Sequence, residues 1–474
     1  MRTLSVIVAL LALAPRVEAQ QEQQGVNAAQ PRNGGAAAPG EAQPQDGTPA
    51  AAGDVQQKKT EPPLGAREAE QARKETQALN KEEQVQKKQV QEVKKPERGT
   101  FVVSERSRIS ISGRAWVSTE SVRAVGATVP STDYKRVYRL SNNSSFLRFR
   151  GEYDLGTGWQ AWAQIEPQVA LDGISTNSSP FNSTRNTAFG LKTPLGTLAL
   201  GRWDSPLKDS TISIDPWAGN GLFGYYDVFG QSIAGSQTNF TSANRWNSRL
   251  SNGIHYWTPK LEGFQARAAV VAGEKRVTTA TSDYLPWVVS ASLTFDNGSP
   301  LYASVAYERR KGCNPDDITA SCGGALLGVD GSDWAARAGV GLKIKETHTR
   351  VGLAFERLES KAAGAAGAPE LRLKKSSYFA SLVQGLFGDT HQLVLSGGVS
   401  PDYQGNFLAD NDGTGAKFFT GAYRYNWTKD LYLFAAYTRI ENRTRAVYQF
   451  GANGFKAGAG ADPEGVVVGS QFLF

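Results

Sequence analysis

The sequence predicts an all-β chain: an antiparallel up-and-down β-barrel of about sixteen strands that crosses a membrane, behind an N-terminal extension that is first disordered and then helical. Three observations predict it. Apolar and polar residues alternate with period two in many short segments after residue 100. Tight turns alternate with long connections between those segments. The alternation also runs to the last residue: in "VVVGSQFLF", Val466, Val468, Phe472 and Phe474 share one parity, Gly469 and Gln471 the other. A strand that uses its final residue needs a backbone partner, and one of its faces needs an apolar medium.

The chain opens with Arg2, an apolar run from Leu4 to Leu13 and the small-residue pattern ending at Ala19. That is a secretory signal peptide over 1–19, and its apolar run falls well short of the ~20 residues a spanning helix needs. Residues 20–65 are rich in Gln, Ala, Gly and Pro, with few large apolar side chains to offset the entropy of ordering, so they are expected to be disordered. Residues 66–98 are helix formers of mixed charge, interrupted at Pro96. Ala69, Ala72, Thr76, Leu79, Val90 and Val93 suggest a seam, which Glu83 and Gln86 break. A short helix or weak coiled coil competes with a solvated charged helix.

The barrel is expected over 101–474. Its strands fall at 107–121, 145–155, 159–169, 186–192, 197–203, 249–257, 263–271, 287–295, 301–309, 334–343, 347–357, 376–386, 391–399, 417–426, 431–440 and 465–474. The second joins the third through "GTG", and later pairs join through "TPLG", "TPKLE", "DNGSP", "KIKE", "FGDT" and "TKD". The intervening connections, 122–143, 171–185, 204–247, 272–286, 310–333, 358–375, 400–416 and 441–464, are long. Short turns at one end and long loops at the other are the rhythm of a membrane barrel.

Leu147, Phe149, Tyr153 and Leu155 oppose Arg148, Arg150, Glu152 and Asp154. Ile109, Ile111, Ala115 and Val117 oppose Arg108, Ser110, Ser112 and Arg114. A soluble sandwich would show the same alternation. Two features favour the barrel. Trp159, Tyr256, Trp257, Phe295, Trp427 and Tyr432 cluster beside the short turns, as an interfacial girdle does. The charged faces are too dense for lipid and suit a wet lumen.

Cys313 and Cys322 are the two cysteines, close together in a segment without strand character. In an exported chain they are expected to form a disulfide, a metal site being the alternative. The formal charge of +7 does not imply nucleic acid here, because export removes that partner. The three histidines, His255, His348 and His391, have no metal-ligand spacing, and neither "GxSxG" nor "HExxH" occurs. No cofactor, metal or catalysis is expected; an outer-membrane barrel enzyme is the alternative of another class.

"RLSNGIHYWTPKLEGF", with Arg249, Asn252, Ile254, Tyr256, Pro259, Gly263 and Phe264, resembles a signature of the Gram-negative general porin family. "FLRFRGEYDLGTGWQAWAQIEP" and "NTAFGLKTPLGTLALGRWDSP" resemble two of its hairpins. The resemblance spans 107–474 and implies a sixteen-stranded homotrimer in the bacterial outer membrane. It also implies a water-filled channel for small hydrophilic solutes and ions, narrowed by its third long loop. Phe472 and Phe474 are similar to the family's assembly signal, which makes the insertion machinery a partner, with outer-membrane lipid and lipopolysaccharide. The extension departs from the family pattern; a tether to the cell wall is one reading of it.

Parity places Arg114, Arg148 and Arg150 on the inner wall, opposite Asp209, Asp215 and Asp227 of the long loop. Arg202 joins the basic wall only if its strand bulges, since it shares parity with Leu198 and Leu200. The alternative for the arginines is ion pairing with Glu152, Glu166 or Asp154, and for Asp215 a loop-shaping role. Tyr225 and Tyr226, with Trp217 and Phe229, either pack the loop on the wall or form a greasy track in a substrate-specific channel for a sugar, phosphate or another nutrient.

Overall fold

The computed structural model describes residues 99–173, 181–235, 240–244, 246–273, 276–278, 283–298, 300–312, 331–362, 369–450 and 453–474. The expected signal peptide, the 20–65 segment, residues 66–98 and the Cys313–Cys322 disulfide lie outside the described residues.

Sixteen barrel strands follow in order among the described residues: β1 Ser107–Val125, β2 Tyr134–Asn142 and Phe146–Gly156, β3 Trp159–Ile165 and Pro167–Val169, β4 Phe181–Thr184 and Thr187–Thr193, and β5 Gly196–Asp204. Next come β6 Arg249–Trp257, β7 Phe264–Ala272, β8 Trp287–Phe295, β9 Leu301–Lys311, β10 Ser332–Ile344 and β11 Thr349–Ala362. The rest are β12 Leu371–Leu386, β13 His391–Ser400, β14 Ala416–Asn426, β15 Leu431–Asn442 and β16 Asp462–Leu473. Each is antiparallel to the next. The last returns to the first, with Arg114 opposite Leu473 and Val125 opposite Asp462. Closure leaves no unpaired edge, the condition for a sheet in hydrocarbon. No described helix is long and apolar enough to cross a membrane.

The alternation sorts as expected. Ile109, Phe149, Leu198, Ile254, Leu353, Val466, Val468 and Phe472 are exposed on the outside. Trp116, Trp162, Ala199 and His255 are buried on the lumen side.

Below the C-terminus the sheet has one more occupant. The short strand Thr100–Val102 pairs with β1, placing Thr100 opposite Ser110 and Val102 opposite Arg108. Phe474 exchanges backbone hydrogen bonds with Gly113, and the Ile111 N–H donates to the Gly99 carbonyl. Both ends of the described chain therefore share one lane of the sheet. Gly99 has φ +77°, and a Cβ there would lie 2.2 Å from the Ile111 oxygen.

Two expectations need correction. Residues 122–143 are not one long loop: β1 runs to Val125 and β2 begins at Tyr134, so only 126–133 connect them. Each face of this hairpin mixes polar with apolar residues, Thr119, Ser121 and Arg123 with Tyr138 and Leu140 outside and Glu120 with Val122 and Ala124 inside, which hid its alternation. Ion pairs of Glu120 with Arg139 (2.8 Å) and of Glu464 with Arg123 support it. The girdle is also thinner than expected. Trp159, Tyr256 and Trp427 are exposed, and Phe295 packs on Phe264, but Trp257 and Tyr432 turn into the lumen. Trp257 follows Tyr256 directly, so period two sends it to the opposite face; it packs against Trp162 and Trp203.

Candidate functional site

The connection from β5 to β6 enters the lumen, and its local chemistry explains its path. Ser205 caps a one-turn helix, Pro206–Asp209, by accepting from the Lys208 N–H at 3.1 Å, with Pro206 at the first helical position. Asp215 then gathers the chain: its carboxylate accepts from the backbone N–H groups of Trp217 (3.1 Å), Gly219 (2.7 Å) and Tyr225 (3.0 Å). Burial nonetheless pushes this loop carboxyl up to about 6.

The loop's apolar side chains, including Leu207, Leu222, Phe223, Val228 and Phe229, are fully buried. Trp217 stacks on Trp116 of β1 at 6.5 Å and meets Phe434 of β15 edge-on at 5.5 Å.

Polar groups of the wall hold the loop's backbone. Ser290 of β8 accepts from the Leu207 N–H, and Tyr302 of β9 donates to the Ser210 carbonyl at 2.6 Å. Arg337 of β10 pairs with Glu356 of β11 at 2.6 Å, with both side chains wholly buried. Glu356 accepts from the Gly230 N–H, and Arg337 donates to Asn247 at 2.7 Å. Lys375 of β12 donates to the Val228 and Gln231 carbonyls at 2.6 Å each. Ser381 donates to the Ile214 carbonyl, Arg424 of β14 to Pro216 and Thr438 of β15 to Leu222. The loop is thus fastened along β8–β15.

Arg114, Arg148 and Arg150 stand on the lumen-facing parity of β1 and β2. Arg148 and Arg185 share Glu166, at 2.6 Å and 2.8 Å. Arg150 pairs with Glu152 at 2.7 Å and lies 4.3 Å over the Trp162 ring. Arg114 donates to the Ser144 carbonyl at 2.9 Å and stacks between Trp116 and Phe146; among the described residues it has no carboxylate partner. Phe146 carries three guanidinium groups on its ring, those of Arg114, Arg148 and Arg185. Nearer the short turns, Arg108, Lys192, Lys343 and Arg350 share the lumen parity and are exposed.

Arg202 does not join this set. The β-bulge falls in the neighbouring strand, between Leu250 and Gly253 of β6, where Asn252 has φ +48°. Trp203 packs inward beside Trp162. Arg202 keeps the parity of Leu198 and Leu200 and donates to the Thr184 carbonyl and to Ser251.

The three loop aspartates are taken up by the fold. Asp209 pairs with Arg267 of β7, Asp215 holds backbone N–H groups, and Asp227 is fully buried in the turn Tyr225–Asp227. Tyr225 and Tyr226 are buried as well.

Arg337, Glu356, Lys375 and Arg424 went unnoticed in the sequence. Their signal was present: each is a charged residue on the lumen parity of its strand, although the strands of Glu356 and Lys375 carry other charges as well. The histidines are scattered, His255 buried in β6, His348 beside Asp389 and His391 beside Tyr423. The described residues contain no cluster of His, Cys, Asp and Glu suited to a metal.

A closed membrane barrel with an inserted, wall-fastened loop and a charged lumen defines the class of outer-membrane β-barrel with a restricted lumen. The chain belongs to the Gram-negative porin family, whose model matches residues 104–445, and it is a protein of the bacterial outer membrane. It is similar to the major outer membrane protein P.IA of Neisseria meningitidis serogroup A / serotype 4A, with 28% identity over 134 residues, 25% of this chain and 33% of that protein. The serogroup B / serotype 15 form is 34% identical over 82 residues, 17% of this chain and 20% of its own. The chain thus spans a third or less of the length of these relatives. Among solved structures, the anion-selective porin from Comamonas acidovorans matches with TM-score 0.61 and 21% identity, covering 78% of this chain and 100% of that one. The outer membrane channel DcaP of Acinetobacter baumannii matches with TM-score 0.51 and 11% identity, covering 79% and 99%. The trimer form of OmpT of Vibrio cholerae matches with TM-score 0.50 and 12% identity, covering 78% and 100%. These likenesses are of fold.

Proposed function

We propose that the chain is a passive diffusion channel for small hydrophilic solutes, that it prefers anions, and that it assembles as a homotrimer. The observation that carries the preference is an imbalance in available charge. The acidic groups of the inserted loop are occupied by Arg267, by backbone N–H groups or by burial, whereas among the described residues Arg114 has no carboxylate partner and Glu166 is shared between two arginines. On the lumen parity Arg108, Lys192, Lys343 and Arg350 are exposed to water, and a low-dielectric wall focuses their field on small ions. A polar solute crosses because the lumen spares it dehydration.

A greasy track for a specific nutrient is disfavoured, because Trp217, Tyr225, Tyr226 and Phe229 are buried in the loop and give a solute no ring face. A barrel enzyme draws no support from the arrangement of the histidines. The similarity to the trimer form of Vibrio cholerae OmpT supports the trimer.

The test is reconstitution in a planar bilayer with a salt gradient. Discrete conductance steps and a reversal potential of anion sign are expected. A reversal potential of cation sign overturns the preference, and the absence of steps overturns the channel.

A further inference from the structure

On the short-turn side of the inserted loop, a pocket of about 250 Å³ lies between the loop and the lumen wall of β9–β12. Register explains it. Tyr302 of β9, Gly341 of β10, Gly352 of β11 and Ser381 of β12 stand side by side in one row. The two glycines leave a hollow between two taller side chains. Ile214 of the loop fills the half over Gly352, where an added Cβ would lie 2.5 Å from its Cγ2. The half over Gly341 stays open: a Cβ there would meet Tyr302 at 3.5 Å and nothing nearer. Ser213 and Pro216 of the loop complete the lining.

The next lumen-facing row toward the short turns carries two cations. Lys343 of β10 lies directly opposite Arg350 of β11, and both line the pocket. Cross-strand neighbours stand about 5 Å apart at Cβ, and like charges in that relation repel. Both side chains are exposed, and among the described residues neither has a carboxylate partner. The one carboxylate in the lining, that of Asp296, is taken: it accepts from Lys260 at 3.1 Å and from the Gly298 N–H at 3.2 Å. An anion seated between Lys343 and Arg350 relieves their repulsion. Arg350 offers it a planar fork of donors and Lys343 a compact charge.

The rest of the lining decides which anion fits. Ile214, Pro216 and Val383 are apolar. The hydroxyls of Tyr302 and Ser381 are committed to the loop, donating to the Ser210 and Ile214 carbonyls. An inorganic oxyanion would leave the apolar wall facing water. A carboxylate on a carbon skeleton satisfies both halves, with its charge at the Lys343 and Arg350 edge and its body against Pro216 and Val383.

We infer, on the reading of the chain as an anion-preferring channel, that this pocket is a subsite for an organic acid with one carboxylate and a compact apolar body, an aromatic or branched monocarboxylate. Lys343 and Arg350 hold the carboxylate, and the hollow over Gly341 takes the body. The pore then sorts anions by their carbon skeleton, which the field of a charged wall alone does not do.

The test is single-channel recording of the full-length protein in chloride, with benzoate, benzamide or inorganic phosphate added. Benzoate should reduce the mean current saturably. Benzamide lacks the charge and phosphate the ring, so each should need a concentration at least roughly tenfold higher. Lys343→Gln with Arg350→Gln should raise the half-blocking benzoate concentration at least roughly tenfold. Gly341→Val fills the hollow without changing any charge and should also raise it, a loss that the field of the wall cannot produce. Arg202→Gln with Arg309→Gln removes two positive charges from the outer face, where Arg309 shares the parity of Val305 and Tyr307, and should match wild type. Equal block by benzamide or phosphate, or unchanged benzoate block in Gly341→Val or in the Lys343 and Arg350 variant, overturns the subsite. Chloride conductance steps in the same recordings report folding and test the channel reading separately: steps without benzoate block overturn the subsite alone.

Discussion

Arg337 and Glu356 form an ion pair at 2.6 Å with no side-chain surface exposed, and Glu356 also accepts the Gly230 N–H from the inserted loop. The pair joins β10 to β11 and joins both to the loop's exit. Removing one partner leaves the other charged, buried and alone. Glu356→Ala should destabilise the barrel by about 3–5 kcal/mol and raise both conductance and current noise as the loop loosens. Thermal unfolding in detergent and single-channel recording check this. Adding Arg337→Met should restore part of the stability but not the quiet current.

Selectivity should follow the wall rather than total charge. Arg114→Gln with Arg148→Gln should move the reversal potential in a salt gradient toward zero. Arg202→Gln removes one of the same positive charges on the other face and should leave the potential unchanged. An equal shift in both would trace the selectivity to overall charge.

Asp215 supplies a pH dependence. Its folded-state value is pushed up to about 6 from the ordinary 3.8, so the folded chain holds that proton more tightly than the unfolded one. The corresponding stabilisation is complete below the ordinary carboxylate range and disappears as pH rises through 6, a change of up to about 3 kcal/mol. Asp215→Asn keeps an acceptor oxygen but does not titrate. It should flatten the slope of thermal stability against pH between about 4 and 6.

Loss of the final ring should act on assembly. Phe474 exchanges backbone bonds with Gly113 and stacks on Phe472 at 5.7 Å. Phe474→Ser keeps the backbone and removes the ring, and it should lower the fraction of chain recovered as heat-resistant barrel from outer membranes. An unchanged fraction would argue that the machinery does not read this residue.

The strands were legible because period two and lipid on one face leave a strict pattern; Leu147, Phe149, Tyr153 and Leu155 could not be arranged otherwise in a spanning sheet. The pattern weakened where each face mixes polar and apolar residues, which hid the hairpin around 126–133. Parity also placed Arg114, Arg148 and Arg150, but it did not reveal how each charge is balanced. Glu166 belongs to two arginines and Asp209 to a residue 58 positions away, pairings that only closure of the cylinder creates. Asp215 showed its loop-shaping alternative beforehand, through Pro216 next to it. The loop's anchors were overlooked because Arg337, Glu356 and Lys375 each looked like one more lumen charge, and nothing local links them to Gly230 or Val228.

The shared lane of the two chain ends has a practical consequence. Phe474 lies opposite Gly113 and Gly99 opposite Ile111, so a single added residue facing Ser112 would weld the carboxyl end to Gly99 in uninterrupted register. A circular permutant joined there, with new termini in an outward loop, would have a β-sheet with no natural beginning.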